Sequence, residues 1–500
     1  MRVPATPTDC NLSHRKWYDA QREALEWIAG TSERVLLLDA PTATGKTALI
    51  QALQYMFDSP VYAALWSRRL QRQCEQEIDC RVVMGRSNFM CNKEAGETCE
   101  FDWCGSDPET KALCPYRIQF EEGLEAPIAV LNYALLLTHL GMKNLPPRDV
   151  LICDEGHMLE DALANHLDVR ISRLWLEDIK FPWQLSQEKC DAEMLRDWAE
   201  TVLNGMAADE HPPKDKKQRA RWGKVKALAE KVLGLVYSSA STVPDDNGFE
   251  ASLRVLWPLE HFPTVASHFE RILVMSATLG DVQALAKEMV LKPDEYSALA
   301  LRSVIPVDRR LIYVWPVANL HKNATALDYS TMTSGIIILA TQHFPRDKGL
   351  IHVSSYKMAE RLGRLLSEEL PGRILVEDGT QATKHIRKLW TDGTEPRILC
   401  TPAASMGADY PFVFPWQVIA KLPYPYLGDQ VVFTRSRLRP KWYTRKTADG
   451  IVQMAGRVTR TPSDEGVTII TDSTFEQNVF RRAPNSFPAW FKEALRWKTE

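Results

Sequence analysis

An α/β protein built on parallel sheets is what this sequence predicts, from three observations. Short, wholly apolar runs end in polar residues, as in "RVLLLDAPTATGKT", "RDVLICDEGH", "FERILVMSATLGD", "GLIHVSSY" and "EPRILCTPAASMGADY". An amphipathic helical stretch follows several of them, such as "KMAERLGRLL". The chain of 500 residues, 45% hydrophobic and 25% charged, is long enough for two to four cored domains. Strands buried on both faces read as continuous apolar runs, and the polar tips of such strands are where open parallel sheets bind ligands.

The first α/β unit takes residues 1–73, 127–164 and 251–300. Two segments of different character interrupt it. Residues 74–126 hold the polar, cysteine-rich "CNKEAGETCEFDWCGSDPETKALCPY". Residues 165–250 are rich in helix formers ("CDAEMLRDWAETVLNGMAA", "RARWGKVKALAEKVLGLVYSSA") around the charged "DEHPPKDKKQRARWGK", which predicts a helical insertion with a solvated basic loop. "ALRSVIPVDRRLIYVWPV" leads into a second α/β unit, residues 301–500.

Net charge is −3 and the isoelectric point about 6.4, so no global positive field announces nucleic acid; such a partner would be held by local basic grooves. The N-terminus lacks an apolar signal segment and no run has the length of a membrane helix, which predicts a cytoplasmic protein without a membrane partner. Only 40 residues follow Arg460, which predicts no appended nuclease or partner-binding domain. In a reducing compartment, ten cysteines are better explained as buried thiols or metal ligands than as a disulfide framework. Six are scattered; Cys91, Cys99, Cys104 and Cys114 are clustered.

"APTATGKT", residues 40–47, fits G-x-x-x-x-G-K-[ST] with Ala40 in the first glycine position. Pro41, Thr42, Ala43, Thr44 and Gly45 form the turn whose N–H groups can cradle the phosphates of ATP; Lys46 adds a point charge and Thr47 a hydroxyl for Mg²⁺. "DEGH" supplies the complement. Asp154 can hold Mg²⁺, and Glu155 can polarise a water for in-line attack. Acidic residues after a strand are commonly a helix cap, so this motif gains meaning from its pairing with the first. His157 alone reads more readily as a packed histidine than a catalytic one. In "QMAGRVTR", Gln453 precedes Arg457 and Arg460, whose spacing of three predicts one helix face, and whose forked guanidinium groups suit transition-state phosphate charge. Four clustered thiols point to a metal, and spacing alone leaves zinc and iron both open.

These motifs come in a familiar order: Gln21 in "YDAQREAL", "APTATGKT", "SRRLQRQ" (Ser67, Leu70, Gln73), "GRSNFMC", "VLNYALLL" (Asn132, Tyr133), "DEGH", "SATLG", "GLIHVSSY", "AKLPYPYLGD" and "QMAGRVTR". The chain resembles, over nearly its whole length, the superfamily 2 iron–sulfur DNA helicases of the XPD/DinG type. The resemblance implies two RecA-like motor domains and a [4Fe–4S] cluster on Cys91, Cys99, Cys104 and Cys114. It also places an Arch-like domain, though a short one, at residues 165–250. It implies ATP-driven 5′ to 3′ translocation on single-stranded DNA and opening of forked duplexes. Gln21 would read the adenine edge, Asp409 would face the nucleotide, and Arg457 and Arg460 would act as arginine fingers beside Gln453. Arg68, Arg86, Asn88, Ser354, Ser355 and Tyr356 would contact the strand, with Phe89, Trp103 and Tyr133 as candidate base-stacking groups. Two positions depart from the family: Gly156 stands where alanine is usual, and Met406 where glutamate is common, beside a retained Gly407 and Asp409. A different function class, an ATP-switched nucleic-acid clamp or remodeller, fits the same motifs, and an RNA helicase is the less favoured third reading.

Overall fold

The computed structural model describes residues 2–93, 96–99, 107–178, 192–208, 215–236, 242–246, 250–380, 383–402 and 414–498. The first unit supplies β1 (Val35–Asp39), β2 (Val61–Leu65), β3 (Arg81–Val82), β4 (Ile128–Asn132) and β5 (Val150–Cys153). An insertion follows with β6 (Val169–Ser172), β7 (Thr242–Asp246) and β8 (Glu250–Val255), after which the chain returns as β9 (Arg271–Ser276) and β10 (Tyr296–Ala300). The seven strands of the first unit form one parallel sheet in the order β10-β1-β9-β5-β2-β4-β3. The second unit repeats the plan with β11 (Ile312–Ala318), β12 (Gly349–His352), β13 (Ile374–Val376), β14 (Ile398–Thr401), β15 (Trp416–Ile419), β16 (Val467–Asp472) and β17 (Leu495–Trp497). Its sheet is again parallel, ordered β13-β14-β12-β15-β16-β11-β17.

The apolar runs form strands because each residue has a core to enter on either face. Along β1, Leu36 and Leu38 join one apolar cluster while Val35 and Leu37 join the other. Along β15 and β16, Val418 and Ile469 point to one side and Ile419 and Ile470 to the other. Period-two alternation therefore separates two cores rather than core from solvent.

Two boundaries differ from expectation. Arg81–Val82, expected inside the cysteine segment, is the edge strand of the first sheet, paired with β4. The insertion over 165–250 is also not wholly helical. Its helices Ala192–Ala208 and Lys216–Val236 pack on an antiparallel sheet, β6-β8-β7, around Trp198, Val202, Val225, Val232 and Leu253. The polar "TVPDD" of β7 carries no strand signal, and Pro244 fits there because β7 is an edge. Among the described residues no helix is long and apolar enough to cross a membrane.

The two units meet through the helices Gln430–Leu438 and Pro440–Ala455 of the second. Charged pairs cross the junction: Arg435 and Lys446 to Glu160, Arg445 to Glu288, Arg254 to Asp429 and Arg439 to Glu260. Beside them lies a cavity of about 20 Å³, room for about one water and too small for a cofactor.

Packing inside the second sheet is equally close. A Cβ on Gly349 would stand 2.4 Å from the Trp416 indole, which is itself stacked on Phe344 at 5.1 Å. Gly349→Ala should cost about 1–3 kcal/mol through overpacking, read as a lower urea midpoint at unchanged slope.

Candidate nucleotide site at the edge of the first sheet

All strands of the first sheet run the same way, so the loops after β1, β5 and β9 leave from one edge. The loop after β1 is braced by its neighbour: the Ala40 N–H donates to the Ser276 carbonyl at 2.7 Å. Inside the loop, the buried Thr44 hydroxyl donates to the Pro41 carbonyl at 2.6 Å. Ala43 and Gly45 take positive φ values of 67° and 76°, the geometry that turns successive N–H groups inward. Gly45 then opens the helix Lys46–Phe57. Lys46 Nζ lies 3.5 Å from the Ala40 carbonyl, folded back over the loop.

Gln21 has a further role. Its Oε1 accepts from the Tyr18 N–H at 3.0 Å and its Nε2 points at the Gly45 carbonyl at 3.4 Å. The side chain expected to read adenine thus braces the phosphate loop here, and a Cβ on Gly45 would come within 2.5 Å of its amide nitrogen.

The loop after β5 carries the acidic pair. Asp154 donates its N–H to the Ala64 carbonyl at 2.9 Å, and its Oδ1 accepts from the Glu155 N–H at 2.8 Å. Glu155 itself has φ 51°, a left-handed conformation that costs of order 1–3 kcal/mol in a residue with a Cβ and recurs at functional sites. The fully buried Tyr133 donates its hydroxyl to the Asp154 carbonyl at 2.7 Å. Tyr133 is therefore a brace for the acidic loop, and the expectation that it stacks on a base is corrected: no face of its ring is open. Gly156 has no room for the alanine that the family resemblance leads one to expect, since a Cβ would lie 2.4 Å from a Val274 methyl.

His157 joins this loop to β9. Its Nδ1 is 2.8 Å from the Ser276 hydroxyl and 3.3 Å from Glu155 Oε2. Burial first, then the fields of Lys446, Lys46 and Arg457, push its pKa down to about 4 against the pull of Glu155, so the ring is neutral near pH 7. Burial and the neighbouring Glu155 raise Asp154 to about 6, with Lys46 opposing; a bound divalent cation would hold it ionised. Asp39, at the end of β1, is raised to about 7 by burial, with Lys46 lowering it and Asp449 of the second unit raising it.

The arginines correct a second expectation. The helix that was to carry both ends at Ala455, so Arg457 and Arg460 do not share a helix face. Gly456 ends it, and the β-branched Val458 and Thr459 with Pro462 beyond do not resume it. Arg457 sits in the turn, its N–H on the Met454 carbonyl at 3.1 Å, and its field reaches His157 across the junction. A Cβ on Gly456 would be 3.5 Å from the Thr42 methyl, so the turn abuts the phosphate loop. Arg460 lies further on, in a loop tied by Asp464, whose Oδ2 accepts the Arg460 N–H at 2.6 Å. Gln453 is half-buried in the last turn of the helix.

Of the candidate strand contacts, Arg68, Ser354 and Tyr356 are exposed, following β2 and β12 at their C-terminal ends. Ser355 caps the next helix, its Oγ accepting from the Met358 N–H at 3.2 Å. Asn88 closes a local turn onto the Gly85 carbonyl at 2.7 Å, and the Arg86 guanidinium lies over the Tyr116 ring at 5.0 Å. Phe89 packs edge-on to that same ring. Cys104, Trp103, Met406, Gly407 and Asp409 lie outside the described residues.

Cys91, Cys99 and Cys114 are buried. Cys91 and Cys99 flank the Met90–Thr98 bridge, and Cys99 Sγ is 3.6 Å from Cys114 Sγ. Among the described residues no three candidate ligands converge into a complete metal cage. Cys99 and Cys114 bring two buried sulfurs together, donors of the type a thiolate-held group requires.

Comparison with known proteins places this geometry. Residues 338–494 match the helicase C-terminal domain family. A probable ATP-dependent helicase of Methanocaldococcus jannaschii is 24% identical over 177 residues, a match spanning 27% of this chain and 27% of that relative. A solved XPD helicase superposes with a TM-score of 0.62 at 15% identity, covering 97% of this chain and 100% of its own. Xpd4 of S. tokodaii gives 0.61 at 16% identity, covering 96% and 100%.

Gly45 makes the site testable at one atom. Gly45→Ala combines a positive φ with the clash on Gln21; nucleotide affinity should fall at least about tenfold for a displacement costing about 1.4 kcal/mol or more, measured by titration with a fluorescent ATP analogue. The second unit is similar in sequence to helicase C-terminal domains over residues 338–494, and the chain shares the fold of the solved XPD helicases.

Proposed function

We propose that the protein is an ATP-dependent DNA helicase that moves 5′ to 3′ on single-stranded DNA and opens forked duplexes. The observation that carries the hydrolytic part is the meeting of groups from both units: the turn of Gly456 and Arg457 abuts Thr42 of the phosphate loop, while His157 links Glu155 to Ser276 in the first unit. In this reading Lys46, Thr47 and Asp154 hold Mg–ATP with the turn residues 41–45, and Asp409 faces the nucleotide. Glu155 takes a proton from the attacking water, and neutral His157 keeps Glu155 in line with Ser276. Arg457 stabilises charge on the transferring phosphoryl group, with Arg460 and Gln453 behind it. Arg68, Arg86, Asn88, Ser354, Ser355 and Tyr356 hold the strand. Polarity and the choice of DNA rest on the family resemblance.

Glu155→Gln should lower turnover by about 10²-fold or more while ATP still binds; a variant that hydrolyses ATP at the normal rate overturns the assignment. The buried ion pairs that already join the two units favour a second reading, an ATP-switched clamp. Strand displacement from a fork with a 5′ tail separates the two: a helicase releases the strand, a clamp shows tail-dependent ATPase without release.

Cys91, Cys99, Cys104 and Cys114 would hold a [4Fe–4S] cluster as thiolates, and the cluster would supply cross-links that so small an insertion cannot obtain from an apolar core. Protein purified without oxygen should be brown, with iron and sulfide in equal amounts near four per chain, as that cluster requires about four of each. A colourless protein containing zinc would refute the cluster.

A further inference from the structure

Glu160 lies five residues beyond Glu155, in the helix Leu159–Leu167, and is almost completely buried. Its carboxylate is used on both oxygens by the second unit. Oε1 accepts from Arg435 Nη1 at 2.9 Å and from the Trp442 indole N–H at 3.2 Å, while Oε2 pairs with Lys446 Nζ at 2.6 Å. Arg435 is held in turn by the Val255 carbonyl at 3.2 Å and by that of Leu256. Burial alone would raise the Glu160 pKa, yet Lys446, Arg435 and Arg445 bring it down to about 2, so it stays ionised. A buried carboxylate shared by two cations and an indole has one geometry that satisfies all three.

Two of these partners begin a line on the second unit. Trp442, Lys446, Asp449 and Gln453 follow at intervals of four, three and four along the helix Pro440–Ala455, so they lie on one face. That face runs from Glu160, past Gly280, whose Cβ would meet Asp449 Oδ1 at 3.2 Å, to the turn holding Gly456 and Arg457 against Thr42. Lys446 and Ala455 are nine residues apart, about 14 Å of rigid helix. One end of the rod is clamped to the helix that follows Glu155; the other end presents Arg457.

We infer that Glu160 is a positioning residue: its clamp on Lys446, Arg435 and Trp442 fixes the rod against the Glu155 loop and so sets where Arg457 stands when ATP is cleaved. The inference rests on the nucleotide-hydrolase reading above. Clamping one end of a rigid helix fixes the other without either touching substrate. Loss of the clamp should therefore impair turnover and leave nucleotide binding, which belongs to the phosphate loop, unchanged.

The test uses the full chain with single-stranded DNA and two variants. Glu160→Gln removes the charge and keeps the shape. Glu160→Leu combined with Lys446→Met and Arg435→Met replaces all three charges by apolar groups, an exchange that is often neutral or stabilising, which keeps a folded variant available if the first does not fold. Both should bind a fluorescent ATP analogue within about twofold of wild type and show kcat reduced about tenfold at a temperature well below their unfolding midpoints, the range of ordinary site-to-site coupling. Either folded variant with kcat within about twofold of wild type overturns the positioning role, because a merely structural pair would change the midpoint and spare kcat. A wild-type chain that hydrolyses no ATP overturns the reading of the site itself, and the inference with it. Normal turnover in wild type and both variants overturns the inference alone.

Discussion

Parallel pairing is the constraint on which the rest depends. Every pairing in both seven-stranded sheets is parallel, so each strand must return by a crossover that covers a sheet face. Apolar side chains then fill both faces, and the polar residues ending each strand have one place to go, the C-terminal edge. The phosphate loop after β1, the acidic loop after β5 and "SATLG" after β9 are neighbours because β1, β9 and β5 are adjacent. Ala40 on the Ser276 carbonyl and His157 on the Ser276 hydroxyl follow from that strand order.

Two strained residues and several buried charges lie at this edge of the first sheet. Ala43 and Glu155 both adopt left-handed backbone, and they belong to the two loops proposed above to hold the phosphates and the attacking water. Asp39, Asp154 and Asp449 are all raised by burial within or beside the same junction. Glu160 moves the other way, because Lys446, Arg435 and Arg445 surround it. A chain with a net charge of −3 thus places its cations locally, on two helices of the second unit, where acids of the first unit receive them.

The segments that break the first sheet show two ways of building a small core. The insertion between β5 and β9 lays two helices on three antiparallel strands around Trp198 and its neighbours. The described residues of the cysteine segment bury less: Cys99, Cys114 and Tyr116 with Phe89 and Phe120 beside them. Two of its three buried members are thiols, where a larger domain would place leucine or valine.

The sequence by itself determined the α/β class, the strand-forming runs, the phosphate loop, the acidic pair and the clustered cysteines, because each is a local pattern. Apolar runs, a glycine-rich turn before a helix and four closely spaced thiols can be read without knowing what packs on them. The tertiary structure alone decided the rest. Tyr133 looks like any aromatic until β4 and β5 bring its hydroxyl to the Asp154 carbonyl. A spacing of three suggested one helix face for Arg457 and Arg460, but the break at Gly456 separates them. β7 was invisible because its pairing with β8, and not its composition, makes "TVPDD" a strand. Glu160 reads as a solvated helix acid in "HMLEDAL", and becomes a buried junction only when Arg435, Trp442 and Lys446 arrive from about 280 residues away. Local signals reveal what a segment can do; partners distant in sequence decide which side chains are closed in, braced or paired, since burial and charge pairing exist only between surfaces that folding brings together.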